Sequence, residues 1–198
     1  MRAAPLSAIK AVPIYLAALA FAVVSGANHG TAQEVWDQAA AIEVNKELNR
    51  PGLIEKGRYL AVAGDCKACH TAPGGNAYAG GRPMKIPVLG TIYTSNITPD
   101  IKTGIGGWTL EEFEGALRRG VGKGDRNLYP AMPYESYAKI TDDDIKALYA
   151  YFLFGVAPVH TAPPENEIRK PLQPRWPLKV WNFLFTSGDA YTPDPEQT

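Results

Sequence analysis

Hydrophobic and polar positions fall into three helix-like runs, separated by stretches that carry no period. In Leu53–Ala63 the apolar residues Leu53, Ile54, Tyr59, Leu60 and Val62 roughly follow helical spacing, which predicts a first helix. Gly57 lies inside it at a cost in helix propensity, which predicts a close packing contact at that point. A second helix opens at Thr109, where Glu112 makes a capping box. Leu110, Phe113, Ala116 and Leu117 form its apolar face up to Val121, and Gly120, Gly122 and Gly124 end it. A third helix starts after Thr141, again read as a capping box, with Asp144. Asp142, Asp143 and Asp144 suit its positive N-terminal end. Its buried face is expected to be Ile145, Leu148, Tyr149 and Phe152, with Gly155 as the stop.

Between the first two runs, Thr71–Gly107 is dense in Gly, Pro, Thr and Ser. It reads as a long structured loop with short extended pieces around Gly90–Ser95. Loops of this length in a compact domain are usually functional, and an enclosed cofactor would give this one something to fold around. Residues 33–51 form a polar lead-in ending at Pro51. From Val156 to Thr198 the chain is proline-rich, with an aromatic cluster at Trp176, Trp181, Phe183 and Phe185.

The N-terminus has a different pattern. Arg2 and Lys10 precede an uncharged apolar run, Ala11–Val24, and Gly30-Thr31-Ala32 before Gln33 offers a cleavage site. This is the pattern of a secretory signal peptide. A retained membrane anchor is the competing reading, but the run is shorter than the roughly 20 residues a spanning helix needs, and Pro13 interrupts it. The organisation expected is a signal peptide over 1–32, an N-terminal extension over 33–51, a main domain over 52–155 and a Pro/aromatic-rich extension over 156–198.

Composition narrows the classes. The 198 residues, 45% of them hydrophobic, suit one globular domain plus extensions, or two very small domains. The 20 basic and 20 acidic side chains balance, so no nucleic-acid partner is expected. Gly 19 and Pro 17 agree with short helices and long loops.

The candidate chemistry is Cys66-Lys67-Ala68-Cys69-His70, the pattern of covalent haem attachment. Two cysteines three apart lie on one side of a helical turn and can form thioethers to the two vinyl groups of one porphyrin, while the adjacent His70 faces the iron. Other uses of the motif fit less well. A structural zinc site needs a second ligand pair, and the chain has only 2 cysteines. A thioredoxin-like pair belongs beside a strand–helix–strand pattern, which is absent. A disulfide would close an unusually tight loop.

For the iron's sixth position the candidates are Met132, Met84 and His160, or no protein ligand at all. Met132 is favoured because Pro130 and Pro133 flank it in Tyr129–Tyr134, stiffening a segment that can hold a thioether in place. Met84 follows His70 too closely to reach the opposite face with ease. Met132 as a mere core filler is the plain alternative. His and Met together raise the reduction potential, and an iron with both axial positions filled exchanges electrons with little rearrangement. That points to electron transfer and away from enzymatic chemistry. A haem enzyme or gas sensor with a labile sixth ligand is the alternative.

The order of helix, attachment motif, long loop, helix, Met segment and final helix resembles a class I cytochrome c. The likeness extends through Cys66–Gly75, Gly90–Tyr93, Asn96–Asp100, Thr103–Trp108 and Tyr129–Tyr134 to the first haem domain of the cytochrome subunits of membrane-associated alcohol, gluconate and related dehydrogenases. It covers roughly residues 52–190. The resemblance implies an all-α class I fold, three to five short helices and long loops around one covalent haem c per chain. It implies Cys66 and Cys69 as attachment residues, His70 and Met132 as axial ligands, and Asn96 and Trp108 near the haem edge or its propionates. It also implies a catalytic dehydrogenase subunit (quinoprotein, flavoprotein or molybdenum type) as electron donor, a downstream respiratory acceptor, and a periplasmic site at the outer face of the inner membrane. One departure stands out: such subunits usually carry three CxxCH motifs, and this chain has one.

Two surface features complete the reading. Residues 175–185 are the most apolar stretch outside the signal segment. They are read either as a tail folded over the haem domain or as a contact surface for a partner or the membrane. Lys67, Lys85, Arg118, Arg119 and Lys123 are read as scattered solvated charge, with steering of an acidic partner as the alternative.

Overall fold

A computed structural model describes residues 46–185. The expected signal peptide, most of the N-terminal extension and the last residues of the tail lie outside that range.

Helix α1 (Pro51–Ala63) begins with proline at its first position, where the missing N–H costs nothing. After Gly64, Asp65 in the left-handed region (φ 52°) turns the chain into the single helical turn α2 (Cys66–Cys69). Within the long loop, β1 (Pro83–Ile86) and β2 (Gly90–Tyr93) form an antiparallel hairpin, Pro83 opposite Tyr93 and Ile86 opposite Gly90. Helix α3 (Leu110–Arg119) carries the full capping box, with Thr109 and Glu112 each taking the other's backbone N–H, and a left-handed Gly120 closes it. Two short strands, β3 (Val121–Gly122) and β4 (Arg126–Asn127), pair beyond it.

Then come the short α4 (Tyr134–Tyr137) and α5 (Asp142–Ala150), which passes straight into a π-helical turn over Tyr151–Gly155. Strand β5 (Glu167–Ile168) returns to pair with β2, and α6 (Trp176–Phe185) ends the described chain.

The core forms where α1 crosses α5. Gly57 is the crossing point: a Cβ there would sit 1.9 Å from the Ala147 carbonyl oxygen and 2.7 Å from the Tyr151 Cβ. Ala61, Ala147 and Ala150 are all 0% exposed, so only small side chains separate the two helices. Ile145, Leu148, Tyr149 and Phe152 are all buried, the face expected from the sequence. Phe113 of α3 joins them, its ring centroid 5.4 Å from that of Tyr149, and Tyr78 from the loop meets Phe152 edge-on at 5.4 Å. Burying side chains of this size contributes about 1.5–3 kcal/mol each, so this cluster is the main source of stability. A second, smaller cluster joins Ile92 of β2, Ile168 of β5 and Tyr129, with Leu178 of α6 packed against it.

Three expectations change. The helical frame stands, but the architecture is not purely α: β1, β2 and β5 make a three-stranded sheet that lends the loop a hydrogen-bonded scaffold. At α5 only half of a capping box forms. The Thr141 hydroxyl accepts from Asp144 N–H, but the Asp144 carboxylate, shorter than a glutamate, turns instead to Lys56 of α1 at 2.7 Å. That ion pair holds the carboxyl below its usual range, countered in part by burial. Finally, Arg118 is not solvated charge. It is buried, and it bonds Glu114, the Ile140 carbonyl and Asp142, joining α3 to the start of α5.

Candidate functional site

Both cysteines sit on α2 as free thiols, half-buried. Burial pushes the Cys66 thiol up to about 11, with the neighbouring Cys69 and Asp65 adding to it.

His70 ends the same turn. Its Nδ1 lies 2.7 Å from the Ser95 carbonyl oxygen. A carbonyl only accepts, so Nδ1 carries the proton and Nε2 is left unprotonated, its lone pair available to a metal. The ring is closely surrounded by protein atoms although the residue is half-open to solvent, and this desolvation lowers its pKa. The imidazole is therefore held neutral, in one tautomer and one orientation, as an axial ligand requires. Two free thiols on one turn and a bare Nε2 beside them fit a covalently attached haem.

The loop fixes Ser95 from behind. Gly80 (φ 73°) donates its N–H to the His70 carbonyl at 2.8 Å. A Cβ on Gly80 would lie 2.5 Å from the Ser95 carbonyl carbon and 2.6 Å from the Asn96 nitrogen, so this close stacking of three segments needs glycine.

Asn96, 3% exposed, is the hub of the next layer. Its amide donates to the Val159 carbonyl at 2.8 Å, the Thr161 carbonyl at 3.1 Å and Thr103 Oγ1 at 3.1 Å. Its oxygen accepts from Thr98 N–H at 2.9 Å and Thr98 Oγ1 at 2.7 Å. All of its hydrogen-bonding capacity goes to protein, which makes it an anchor for the segment that orients His70. Trp108 is half-buried against the main core. Its carbonyl accepts from the Tyr149 hydroxyl at 2.6 Å and its ring lies over Gly122.

Met132 is half-buried in the turn before α4, in a hollow of about 210 Å³ lined also by Pro130, Pro133, Tyr134 and Trp181. The Met segment is tied to the attachment motif through Tyr137, whose hydroxyl donates to the Gly64 carbonyl at 2.8 Å, two residues before Cys66. Of the other ligand candidates, Met84 is built into β1 opposite Ile92, and His160 is turned to Asp100 at 3.1 Å. The basic residues divide as well: Lys123 bonds the Gly107 carbonyl and Arg119 pairs with Glu114.

Sequence reasoning missed Ser95, Tyr137 and Asn182. A backbone carbonyl leaves no mark in a sequence. Asn182 did leave one, as the single amide inside Trp181–Phe185. It is 8% exposed on α6, whereas Trp176 is 70% and Phe183 86% exposed. The helix thus turns Asn182 and Leu178 inward and Trp176 and Phe183 outward, with Trp181 at the edge of the Met132 hollow.

Comparison with known proteins gives a consistent picture. The family model described as cytochrome c matches residues 54–153. The gluconate 2-dehydrogenase cytochrome c subunit of Pantoea cypripedii is 55% identical over 133 residues, 67% of this chain and 30% of that protein. The cytochrome c subunit of the quinone alcohol dehydrogenase of Gluconobacter oxydans is 50% identical over 149 residues, 73% of this chain and 31% of that protein. The fructose dehydrogenase cytochrome subunit of Gluconobacter japonicus is 46% identical over 136 residues, 68% of this chain and 28% of that protein. The chain thus matches only about a third of the length of these relatives.

Proposed function

The chain belongs to the cytochrome c family, and from that premise we infer that it is an electron-transfer protein rather than an enzyme, carrying one haem c and serving a catalytic dehydrogenase. The observation that carries this reading is the His70 ring, locked by the Ser95 carbonyl with Nε2 bare, beside two free thiols on the same helical turn. Haem c supplies a one-electron iron couple. Cys66 and Cys69 would tether it through their sulphurs, and His70 and Met132 would supply the iron's protein ligands. Trp108 lies in its surroundings, and Asn96 acts one layer behind, through Ser95. A rigid ligand frame of this kind lets the metal change charge with little motion of the protein.

The haem domain spans residues 52–155, with extensions on both sides. The donor is a dehydrogenase subunit of the quinoprotein, flavoprotein or molybdenum type, and the acceptor belongs to the respiratory chain. With the N-terminal segment read as an export signal, the protein works in the periplasm at the outer face of the inner membrane. Among the described residues no helix is long and apolar enough to cross a membrane. The surface of α6, where Trp176, Phe183 and Leu184 stand exposed beside Lys179 with no acidic residue in the helix, is the contact we assign to the membrane face.

The test is haem content and redox titration of protein matured in a host that attaches haem covalently. One haem per chain, bound through denaturation, and a reversible one-electron couple are expected. A dissociable haem, or peroxidase activity with ready binding of carbon monoxide, would move the assignment to an enzyme or sensor.

A further inference from the structure

The segment that carries Met132 is held from outside. Residues 127–134 touch the C-terminal stretch 173–182 at both ends. Upstream of Met132, the Asn127 carbonyl accepts from Arg175 Nη1 at 2.6 Å, and the Arg175 guanidinium lies 4.4 Å over the centre of the Tyr129 ring. The Tyr129 hydroxyl in turn donates to the Gln173 carbonyl at 3.3 Å. Downstream, the Tyr134 hydroxyl donates to Asn182 Oδ1 at 2.9 Å, and Asn182 Nδ2 donates to Asn127 Oδ1 at 3.4 Å. Asn182 therefore bridges the two ends of the Met segment across α6.

Tyr134 makes this bridge consequential. It is 1% exposed, and its ring fills the space that a side chain on Gly120 would occupy, 2.7 Å from the built Cβ. Its backbone N–H donates to the Met132 carbonyl at 2.8 Å. Moving the Tyr134 ring therefore moves the peptide that aims Met132. On the far side, Trp181 of α6 closes the hollow beside Met132. A buried amide in an apolar helix is costly unless both its donor and its acceptor are used, and here both are.

We propose that the C-terminal stretch 173–182 is a strap that sets the sixth ligand, with Asn182 as the positioning residue acting on Met132 through Tyr134. This rests on the reading of Met132 as an axial ligand.

The experiment compares wild type, Met132→Ala, Tyr134→Phe, Asn182→Ala and the double variant Tyr134→Phe/Asn182→Ala as haem-loaded full chains. The readouts are the long-wavelength band of oxidised Met-ligated haem and the affinity for added imidazole. Losing one buried hydrogen bond from the arrangement that holds Met132 should tighten apparent imidazole binding about five- to tenfold. Tyr134→Phe and Asn182→Ala should weaken the band to similar extents, and the double variant should be no worse than either single one. Tyr134→Phe keeps the ring against Gly120, so it reports even if Asn182→Ala misfolds. Unchanged band and imidazole affinity in Tyr134→Phe, with only a lower melting point, would overturn the strap while leaving Met132 as ligand. A wild type whose spectrum Met132→Ala does not alter would overturn the ligand assignment itself, and the strap with it.

Discussion

Replacing Gly57 by alanine adds one methyl group to the middle of α1, and two effects of opposite sign follow. In an isolated or exposed helix the change stabilises by about 1 kcal/mol, because glycine is the poorer helix former. In this protein the new Cβ would lie 1.9 Å from the Ala147 carbonyl oxygen, 2.6 Å from its carbonyl carbon and 2.7 Å from the Tyr151 Cβ. An ordinary contact needs about 3.4 Å, so α1 and α5 must part by roughly 1.5 Å at their crossing. The obstacle is backbone and cannot rotate away. Parting the helices also opens gaps around Ala61, Ala147 and Ala150, which now lose no area to solvent. Overpacking of this kind costs typically 1–3 kcal/mol, and a backbone clash belongs at or above the upper end. After the propensity gain, the net loss is about 2 kcal/mol, or about 4–8 °C in Tm for a chain of this size.

The assay is thermal and guanidinium unfolding of haem-loaded protein, followed by far-ultraviolet circular dichroism and haem absorbance. Gly52→Ala is the internal control. It lies in the same helix with nothing within 4 Å of its built Cβ, and should leave stability unchanged or raise it by up to about 1 kcal/mol. If Gly57→Ala behaves like Gly52→Ala, the close crossing of α1 and α5 is wrong.

Other consequences are also measurable. Asn96→Ala strands the buried Thr98 N–H and hydroxyl and removes the donor shared by the half-buried Thr103 hydroxyl and Val159 carbonyl and by the Thr161 carbonyl. A loss of about 2–4 kcal/mol in denaturant unfolding is expected, and a loss under 0.5 kcal/mol would deny Asn96 its role as anchor. The Asp100 carboxyl is held at about 2, first by the Thr103 N–H and then by the Thr103 hydroxyl. A depressed native pKa gives stability that is fully present above the ordinary carboxylate value of 3.8 and is lost as pH falls toward 2. Asp100→Asn should therefore flatten the acid side of the stability curve, which unfolding midpoints between about pH 2.5 and 7 would reveal. An unflattened acid limb would remove Asp100 from the explanation. For α6, Trp176→Ser and Phe183→Ser should weaken sedimentation with phosphatidylglycerol vesicles while leaving the haem spectrum intact. Wild type failing to bind such vesicles would contradict a lipid contact and leave a protein partner for that face.

What the sequence made legible follows from where information is local. The Thr109–Glu112 capping box, the buried face Ile145–Phe152 and the close contact at Gly57 are written in spacing and in residue types with few other uses, and each appears as expected. The attachment motif is equally local. The three-stranded sheet was less legible, because β5 reaches β2 from 167–168 and only Gly90–Ser95 hinted at extended backbone. Asp144 was misjudged for a related reason: its partner Lys56 is distant in the chain, and only the folded helix crossing brings the two together. Arg118 looked like surface charge until its three partners on two elements were seen. The orientation of His70 depends on a backbone carbonyl at Ser95, which any residue there could supply. In the C-terminal stretch the aromatic run was plain, but which face of α6 turns inward was decided by one amide, Asn182.

The most direct test of the account is the absorption spectrum of oxidised, haem-loaded wild type beside that of Met132→Ala, each with and without carbon monoxide after reduction. The account predicts a low-spin wild type that shows the long-wavelength Met–iron band and resists carbon monoxide, and a variant that loses the band and binds the gas. A wild type that is high-spin and binds carbon monoxide readily, or a variant indistinguishable from it, would contradict the claim that His70 and Met132 together make this chain an electron carrier.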